Sequence, residues 1–335
     1  MKTAWYEKTG PARAVLKFGD LTDPVPGPGE VLVAVRASGI NPADVKRRAG
    51  WRGVGMDHPL IIPHTDGAGE IIAVGPGADA GRIGERVWLW NAQGGYRERG
   101  RAYGTAAELI AIDARQAVRL SDHLTFAEGA CLGVPAMTAH RAVFADGGVD
   151  GKTVLVSGAA GAVGHFAVQL AALDGARVIG TVGNDASARH AKDAGAEITV
   201  NRRQEDVAAR ILDLTEGAGV DRIIEVDFAA NAALAAAVLK PNGTIAAYSS
   251  SSNPEPVLSY YAFASIGANL RFIQGFAIPE DARRSGETRI DALAGSGRLH
   301  VAIGATFPLS DIALAHERVE AGGLGNVVVF PGDPA

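Results

Sequence analysis

Cysteine is almost absent from this chain. A single residue, Cys131, stands among 335, so no internal disulfide can form and no cysteine-built zinc site can be assembled. No apolar run reaches the roughly 18 residues of a membrane-crossing helix. The first residues, MKTAWYEKTG, lack the apolar core of a secretory signal. Basic charge is not in excess either. Lys and Arg number 32 against 37 Asp and Glu, a net charge of −5, and the pI is near 5.9. A nucleic-acid binder would carry a basic footprint. Internal repeats and low-complexity tails are also missing. These absences predict a soluble cytoplasmic protein that acts on a small molecule, with no membrane and no nucleic acid as partner. The remainder is ordinary globular composition, 47% hydrophobic and 21% charged. The chain is long enough for two domains, each with its own core.

What is present is organised around residues 153–183, TVLVSGAAGAVGHFAVQLAALDGARVIGTVG. TVLVS is a short β-branched run of the kind that forms a buried parallel strand. Gly158, Gly161 and Gly164 follow at once, then a helical stretch, HFAVQLAALDG, and a second strand, ARVIGTV. A side chain in that turn would keep the backbone N–H groups away from a pyrophosphate at the helix N-terminus. Three glycines alone say little in a chain that holds 43. Their strand–turn–helix–strand setting is what makes this a dinucleotide-binding turn rather than a bare tight turn. An NAD-selective site needs an acid near the end of the second strand, where it accepts from the ribose hydroxyls. That position reads Thr181-Val182-Gly183, without an acid, and Asp185 lies past the turn.

On either side of this unit the text changes. Residues 1–124 hold many short strands, among them MKTAWYE, EVLVAVRASGI, AGEIIAVG, GERVWLW and AAELIAI, broken by turn chemistry such as DPVPGPGE and GPGADAG. An antiparallel, barrel-like domain is predicted there. Residues 125–298 alternate strand and helix; TVLVS, ARVIGTV, ITVN, DRIIEVD, GTIAAYS and LRFIQGF are its strands, which predicts a doubly wound parallel sheet. Residues 299–335 return to strand text (VVVF) after the amphipathic segment DIALAHERVEAG. This last stretch is expected to pack against the first domain, since a lone short strand is unstable. The predicted division is therefore 1–124 with 299–335, and 125–298.

Seven motifs follow one another along almost the whole chain: ASGINPAD (37–44), GERV (84–87), LGVPAMTAHRA (132–142), SGAAGAVG (157–164), GTVGN (180–184), FPLSDIALAHE (307–317) and GLGNVVV (323–329). In this order they resemble the zinc-independent medium-chain dehydrogenases/reductases, of the zeta-crystallin type of NADPH:quinone oxidoreductase. The resemblance implies an α/β protein, with a GroES-like barrel catalytic domain, a Rossmann doubly wound domain inserted into it, and NADPH held between them. Zinc-dependent relatives carry Cys, His and a second Cys where this chain has Asn41, Thr65 and Val134, and the four-cysteine lobe is missing. No metal is implied. His58, His64 and Asp66 are nearby donors, and the plain reading of them is loop residues beside the cleft.

The resemblance also implies the site. Asn41 and Asp44 match residues near the nicotinamide ribose and substrate. Asn41 could donate to a substrate carbonyl as charge develops on it, and Asp44 is either an orienting residue or an N-terminal helix charge. Ala160, Gly161, Ala162 and Val163 would meet the pyrophosphate. Gly183, Asn231, Tyr248, Ser249, Ser250 and Ser251 would line the cofactor, Phe276, Ala277 and Ile278 would run along the nicotinamide, and Asn326 stands where relatives often have Lys. Arg189 falls at a phosphate-binding Lys and Arg202 at a His or Tyr beside the adenine ribose; a guanidinium can hold a 2′-phosphate bidentately. Solvated helix and loop arginines are the alternative. Lys46 and Arg52 replace tyrosines usual in quinone reductases, with Trp51 as the remaining aromatic. With Thr65 these form the expected substrate-binding set, and the two cations suit an anionic group. Arg97, Arg99 and Arg101 in GGYRERGRAYG (94–104) are either an anion clamp or a solvated loop.

NADPH-dependent quinone reduction is the leading expectation. Reduction of an activated C=C bond in an enone or enoyl thioester is the second; it needs a proton donor, for which Tyr96 and Tyr103 are available. A crystallin-like structural or RNA-associated role is the third, and a salt-sensitive RNA shift would reveal it. A homodimer or homotetramer is expected, with edge pairing near 244–249 or 269–273 as its seam.

Overall fold

The computed structural model describes residues 1–94 and 100–332. It falls into two compact units, Met1–Pro135 with Glu287–Ala335, and Ala136–Gly286. The dividing points lie inside two helical segments, Leu132–Ala136 and Glu280–Gly295. The sequence boundaries of 124/125 and 298/299 fall on either side of these segments.

The first unit begins with β1 (Lys2–Trp5) and β2 (Lys17–Asp20), an antiparallel pair. It continues with β3 (Glu30–Ile40), β4 (Asp66–Val74), β5 (Arg86–Leu89), β6 (Leu109–Asp113) and β7 (Ala117–Arg119). Along β3 the alternation Val31, Val33, Val35 turns one face inward. These valines pack with Ile71, Val87, Leu89, Ile110 and Ile112 in one core cluster. Strand β3 bends at two register shifts, so its first half pairs with β6 while its end is buried almost throughout. Gly39 sits in that buried end. A Cβ there would lie 2.1 Å from the Ala130 carbonyl oxygen, so only glycine allows the approach.

The second unit holds β8 (Thr153–Val156), β9 (Arg177–Val182), β10 (Ile198–Asn201), β11 (Val220–Glu225), β12 (Leu239–Ala247) and β13 (Asn269–Phe272). All neighbours pair in parallel in the order β10-β9-β8-β11-β12-β13. This is the doubly wound order whose reversal lies beside β8. Every strand expected from 125–298 is present. The helix expected from His165 starts earlier, at Ala162, because Gly161 has the extended backbone of an N-cap.

The chain then returns to the first unit with β14 (Ile303–Pro308) and β15 (Asn326–Phe330). Strand β15 pairs antiparallel with β3, placing Val328 opposite Gly39, and β14 joins its far side in parallel. The terminal stretch thus completes the sheet β14-β15-β3-β4-β5-β7, with β6 also on β3. One expectation is corrected. Residues 244–247 lie in β12, which is enclosed between β11 and β13, so they offer no free edge; β13 is the edge strand. Both strands are equally β-prone in sequence, and only strand order separates them. No helix among the described residues is long and apolar enough to cross a membrane.

Candidate active site

In the first unit the antiparallel pairing of β3 and β4 sets Gly39 opposite Asp66. The chain leaving β3 at Asn41 therefore starts beside the chain entering β4 at Thr65. Asn41 caps the helix Pro42–Ala49, and Pro42 is the first helical residue, where its missing N–H costs nothing. The Asn41 N–H donates to the Asp44 Oδ2 at 2.7 Å in a capping box. Thr65 Oγ1 donates to Asp44 Oδ1 at 2.7 Å. Asn41 Nδ2 donates to Asp66 Oδ2 at 2.7 Å, and the Val134 N–H reaches the same oxygen at 2.8 Å. The side chains of Asn41, Asp44, Thr65 and Asp66 are all buried, none more than 4% exposed. Burial raises the Asp44 carboxyl above the usual carboxylate range despite its hydrogen bonds. Asp66 is raised well above it, by burial first and by the nearby Asp44 as well.

A second buried chain stands behind β4. Thr105 Oγ1 donates to the Asp66 carbonyl at 2.5 Å, Ser38 Oγ lies 2.7 Å from Thr105 Oγ1, and His64 Nδ1 lies 2.8 Å from Ser38 Oγ. Each hydroxyl has one hydrogen, so the directions follow. Ser38 donates to Thr105, and His64 Nδ1–H donates to Ser38. The 2.9 Å contact between the His64 and His316 Nε2 atoms then takes its hydrogen from His316. His64 is neutral throughout, pushed down to about 3 by burial. The three nearby donors of the sequence are engaged separately. His64 spends both nitrogens on Ser38 and His316, Asp66 faces Asn41 and Val134, and His58 Nε2 meets the Gly100 carbonyl. Among the described residues no group of three potential ligands converges.

Beyond the helix, Gly50 takes the left-handed conformation as its C-terminal cap. Arg52, with φ of 61°, does so without the freedom of glycine. Its guanidinium carbon lies 3.8 Å from the Trp51 ring centre, and Lys46 Nζ lies 4.7 Å from it. Two cations thus share one indole.

In the second unit the glycine turn leaves β8 at Ser157. Gly158 has φ of 65°, and a Cβ on Gly164 would lie 2.2 Å from the Gly158 carbonyl oxygen. The strand end and the helix start touch backbone to backbone there. Gly161 caps the helix Ala162–Leu173 with no side chain to occupy the first-turn N–H groups, so those of Ala162 and Val163 have no side-chain cap. Thr181 holds the turn from β9: its Oγ1 accepts from the Gly158 N–H at 3.0 Å, and its carbonyl from Ala159 at 3.0 Å. At the end of β9, a Cβ on Gly183 would lie 3.7 Å from Arg202 Nη2 and 3.7 Å from Arg203 Nε. Neither guanidinium bonds an acidic side chain among the described residues. These features fit a phosphorylated dinucleotide: bare amides for a pyrophosphate, and a paired cation where an NAD site carries an acid.

The other expected residues are placed as follows. Asn231 donates through Nδ2 to Glu225 Oε1 at 2.8 Å and Ser157 Oγ at 3.2 Å, which ties β8 to β11. Asn326 Nδ2 donates to the Ala302 carbonyl at 3.0 Å within the first unit. The Thr65 hydroxyl donates to Asp44 Oδ1. Ser249 bonds Ser251 at 2.9 Å, and Ser250 donates to the Asn253 carbonyl at 2.6 Å, which makes the serine run a self-bonded loop. Tyr248 follows β12, its N–H on the Glu225 carbonyl at 3.1 Å. Phe276, Ala277 and Ile278 form the bend after β13, and Arg189 is exposed on the helix Asp185–Asp193. Arg101 pairs with Glu30 at 3.0 Å, Tyr103 is half exposed, and Tyr96, Arg97 and Arg99 lie outside the described residues. Sequence reading missed Asp66 as a partner of Asn41, missed Glu225, and missed Arg203. Only Arg203 left a signal, as the neighbour of Arg202.

The sheet order and the glycine turn define a two-domain nucleotide-dependent dehydrogenase/reductase. Residues 27–122 match the family model described as an alcohol dehydrogenase GroES-like domain, and residues 162–294 match that described as a zinc-binding dehydrogenase. The chain is 30% identical to a quinone oxidoreductase from Homo sapiens over 337 aligned positions, covering 97% of this chain and 96% of that protein. It is also 30% identical to a 2-haloacrylate reductase from a Burkholderia species, covering 99% of each. Among solved structures, one described as an NAD-dependent alcohol dehydrogenase superposes with a TM-score of 0.88 at 27% identity, over 99% of this chain and 100% of that one. A mycobacterial protein complexed with NADPH superposes with a TM-score of 0.87, also at 27% identity and with the same coverage. The chain belongs to the medium-chain dehydrogenase/reductase family, in its quinone oxidoreductase branch.

Proposed function

We propose that this oxidoreductase transfers a hydride from NADPH to a quinone without a metal. The observation that carries the cofactor half is the guanidinium pair of Arg202 and Arg203 at Gly183, where no acid stands. Backbone amides from Ala160 to Val163 would hold the pyrophosphate, and Arg202, Arg203 and Arg189 the 2′-phosphate. The bound cofactor supplies the hydride; the chain need only orient the acceptor and exclude water. Asn41 has one hydrogen of its amide anchored on Asp66, and the other is what it offers to the acceptor oxygen as negative charge builds there. Asp44 and Thr65 hold the helix start that carries Asn41.

A second reading is reduction of an activated C=C bond in a carboxylated acceptor. Lys46 and Arg52 stacked on Trp51 favour it, and so does the likeness to a 2-haloacrylate reductase. NADPH oxidation followed in parallel with benzoquinone, phenanthrenequinone, an enal and a haloacrylate separates the two. The quinones are expected to turn over; turnover of the enal or haloacrylate alone rejects the quinone assignment. Assembly as a homodimer or homotetramer belongs to the same reading, with the free edge of β13 and its exposed Phe272 as the seam.

A further inference from the structure

The least explained atom in the first unit is Asp66 Oδ1. Asp66 is 1% exposed, its Oδ2 accepts two N–H donors, and its Oδ1 has no partner among the described residues. Among the described residues no cation contacts the carboxyl. The titratable groups around it are Asp44 on the helix Pro42–Ala49 and Cys131, whose thiol is pushed up chiefly by burial. His64, two residues before it, turns its ring to Ser38 and His316. The backbone of Gly133 is pressed against the carboxyl so closely that a Cβ there would lie 2.2 Å from Oδ1. A carboxylate in such a place would bury a full charge with two neutral donors on one oxygen and nothing on the other, beside a second carboxyl.

We propose that Asp66 is a neutral carboxylic acid in the working enzyme, with its hydrogen on Oδ1, and that it is the positioning residue for Asn41. Because Asn41 and Val134 both donate to Oδ2, that oxygen is the acid's carbonyl, and the O–H is Oδ1. The amide of Asn41 is thereby fixed in one orientation. Its nitrogen faces Asp66, one hydrogen is anchored, and the remaining hydrogen has a single direction. The functional part rests on the proposed role of Asn41 at the acceptor oxygen; the protonation part does not.

Two variants and two measurements test this. Asp66→Asn is the isostere of the neutral acid, keeping a carbonyl oxygen for Asn41 and Val134. Asp66→Ala removes that acceptor. In infrared difference spectra at neutral pH, wild type minus Asp66→Asn should show the carbonyl stretch of a protonated carboxylic acid. Stability gives the same answer by linkage. A carboxyl whose folded pKa is raised contributes stability that is fully present below its unfolded value and is lost as pH rises through the folded one. The unfolding midpoint of Asp66→Asn relative to wild type should therefore climb as pH rises above about 4. His64 and His316 are common to both proteins and cancel. In turnover, Asp66→Asn should stay within about threefold of wild type in kcat, while Asp66→Ala should lose roughly 100-fold with the NADPH KM unchanged. Absence of the acid band in wild type overturns the protonation whatever the enzyme reduces. A 100-fold loss in Asp66→Asn as well overturns the positioning role of the neutral form.

Discussion

Replacing Arg202 and Arg203 together by alanine is expected to raise the KM for NADPH about 100-fold while moving that for NADH less than about threefold. Both guanidiniums stand at the end of β9, within reach of the Gly183 backbone, and neither is neutralised by an acidic neighbour among the described residues. A 2′-phosphate placed there gains charge-assisted hydrogen bonds of about 1.5 kcal/mol each, and each such loss is about tenfold in affinity. NADH has no group to lose. Arg189→Ala should act in the same sense and more weakly, since that residue is exposed on the next helix. Steady-state kinetics with both cofactors decides the matter; equal rises for NADPH and NADH would remove the 2′-phosphate assignment.

Gly164→Ala should be far more damaging than Gly161→Ala, although both glycines belong to one motif. At Gly164 an added methyl would sit 2.2 Å from the Gly158 carbonyl oxygen and 3.0 Å from the Ala159 Cα, all of it backbone. The turn must open, at a cost of about 3 kcal/mol or more, because no side chain can yield. At Gly161 the same methyl meets its nearest atom at 3.4 Å, an ordinary contact, and φ is −76°. That variant should keep the wild-type denaturation midpoint and lose nucleotide affinity instead, since the methyl intrudes where the pyrophosphate approaches. Urea unfolding and nucleotide titration of the pair measure the two effects separately. A Gly164→Ala protein as stable as wild type would refute the account of the turn.

How far the site was legible varies residue by residue. Gly158, Gly161 and Gly164 were readable because a βαβ unit needs its glycines next to the first strand, and that adjacency is linear. Asn41 and Asp44 were readable for the same reason, three residues apart as a capping box requires. Asn231 was also legible, but its bonds were not: the Nδ2 donates to Glu225 and Ser157, and Ser157 lies in the turn after β8, 74 residues away. Arg203 is adjacent to a residue that was marked, yet nothing local says which of two neighbouring arginines turns toward Gly183.

The sequence by itself determined the class of each unit and the order of its strands in time, since β-branched runs, glycine turns and amphipathic stretches act on neighbours along the chain. It also determined that β9 ends in Thr181-Val182-Gly183, without an acid. Tertiary structure decided the rest. It decided that β12 is enclosed and β13 is the edge, that β15 closes the first sheet against β3, and that Asp66 accepts from Asn41 with one oxygen while the other has no hydrogen-bond partner among the described residues. These are contacts between segments 19 or more residues apart. Their energies depend on burial and register, which exist only once the sheets have formed.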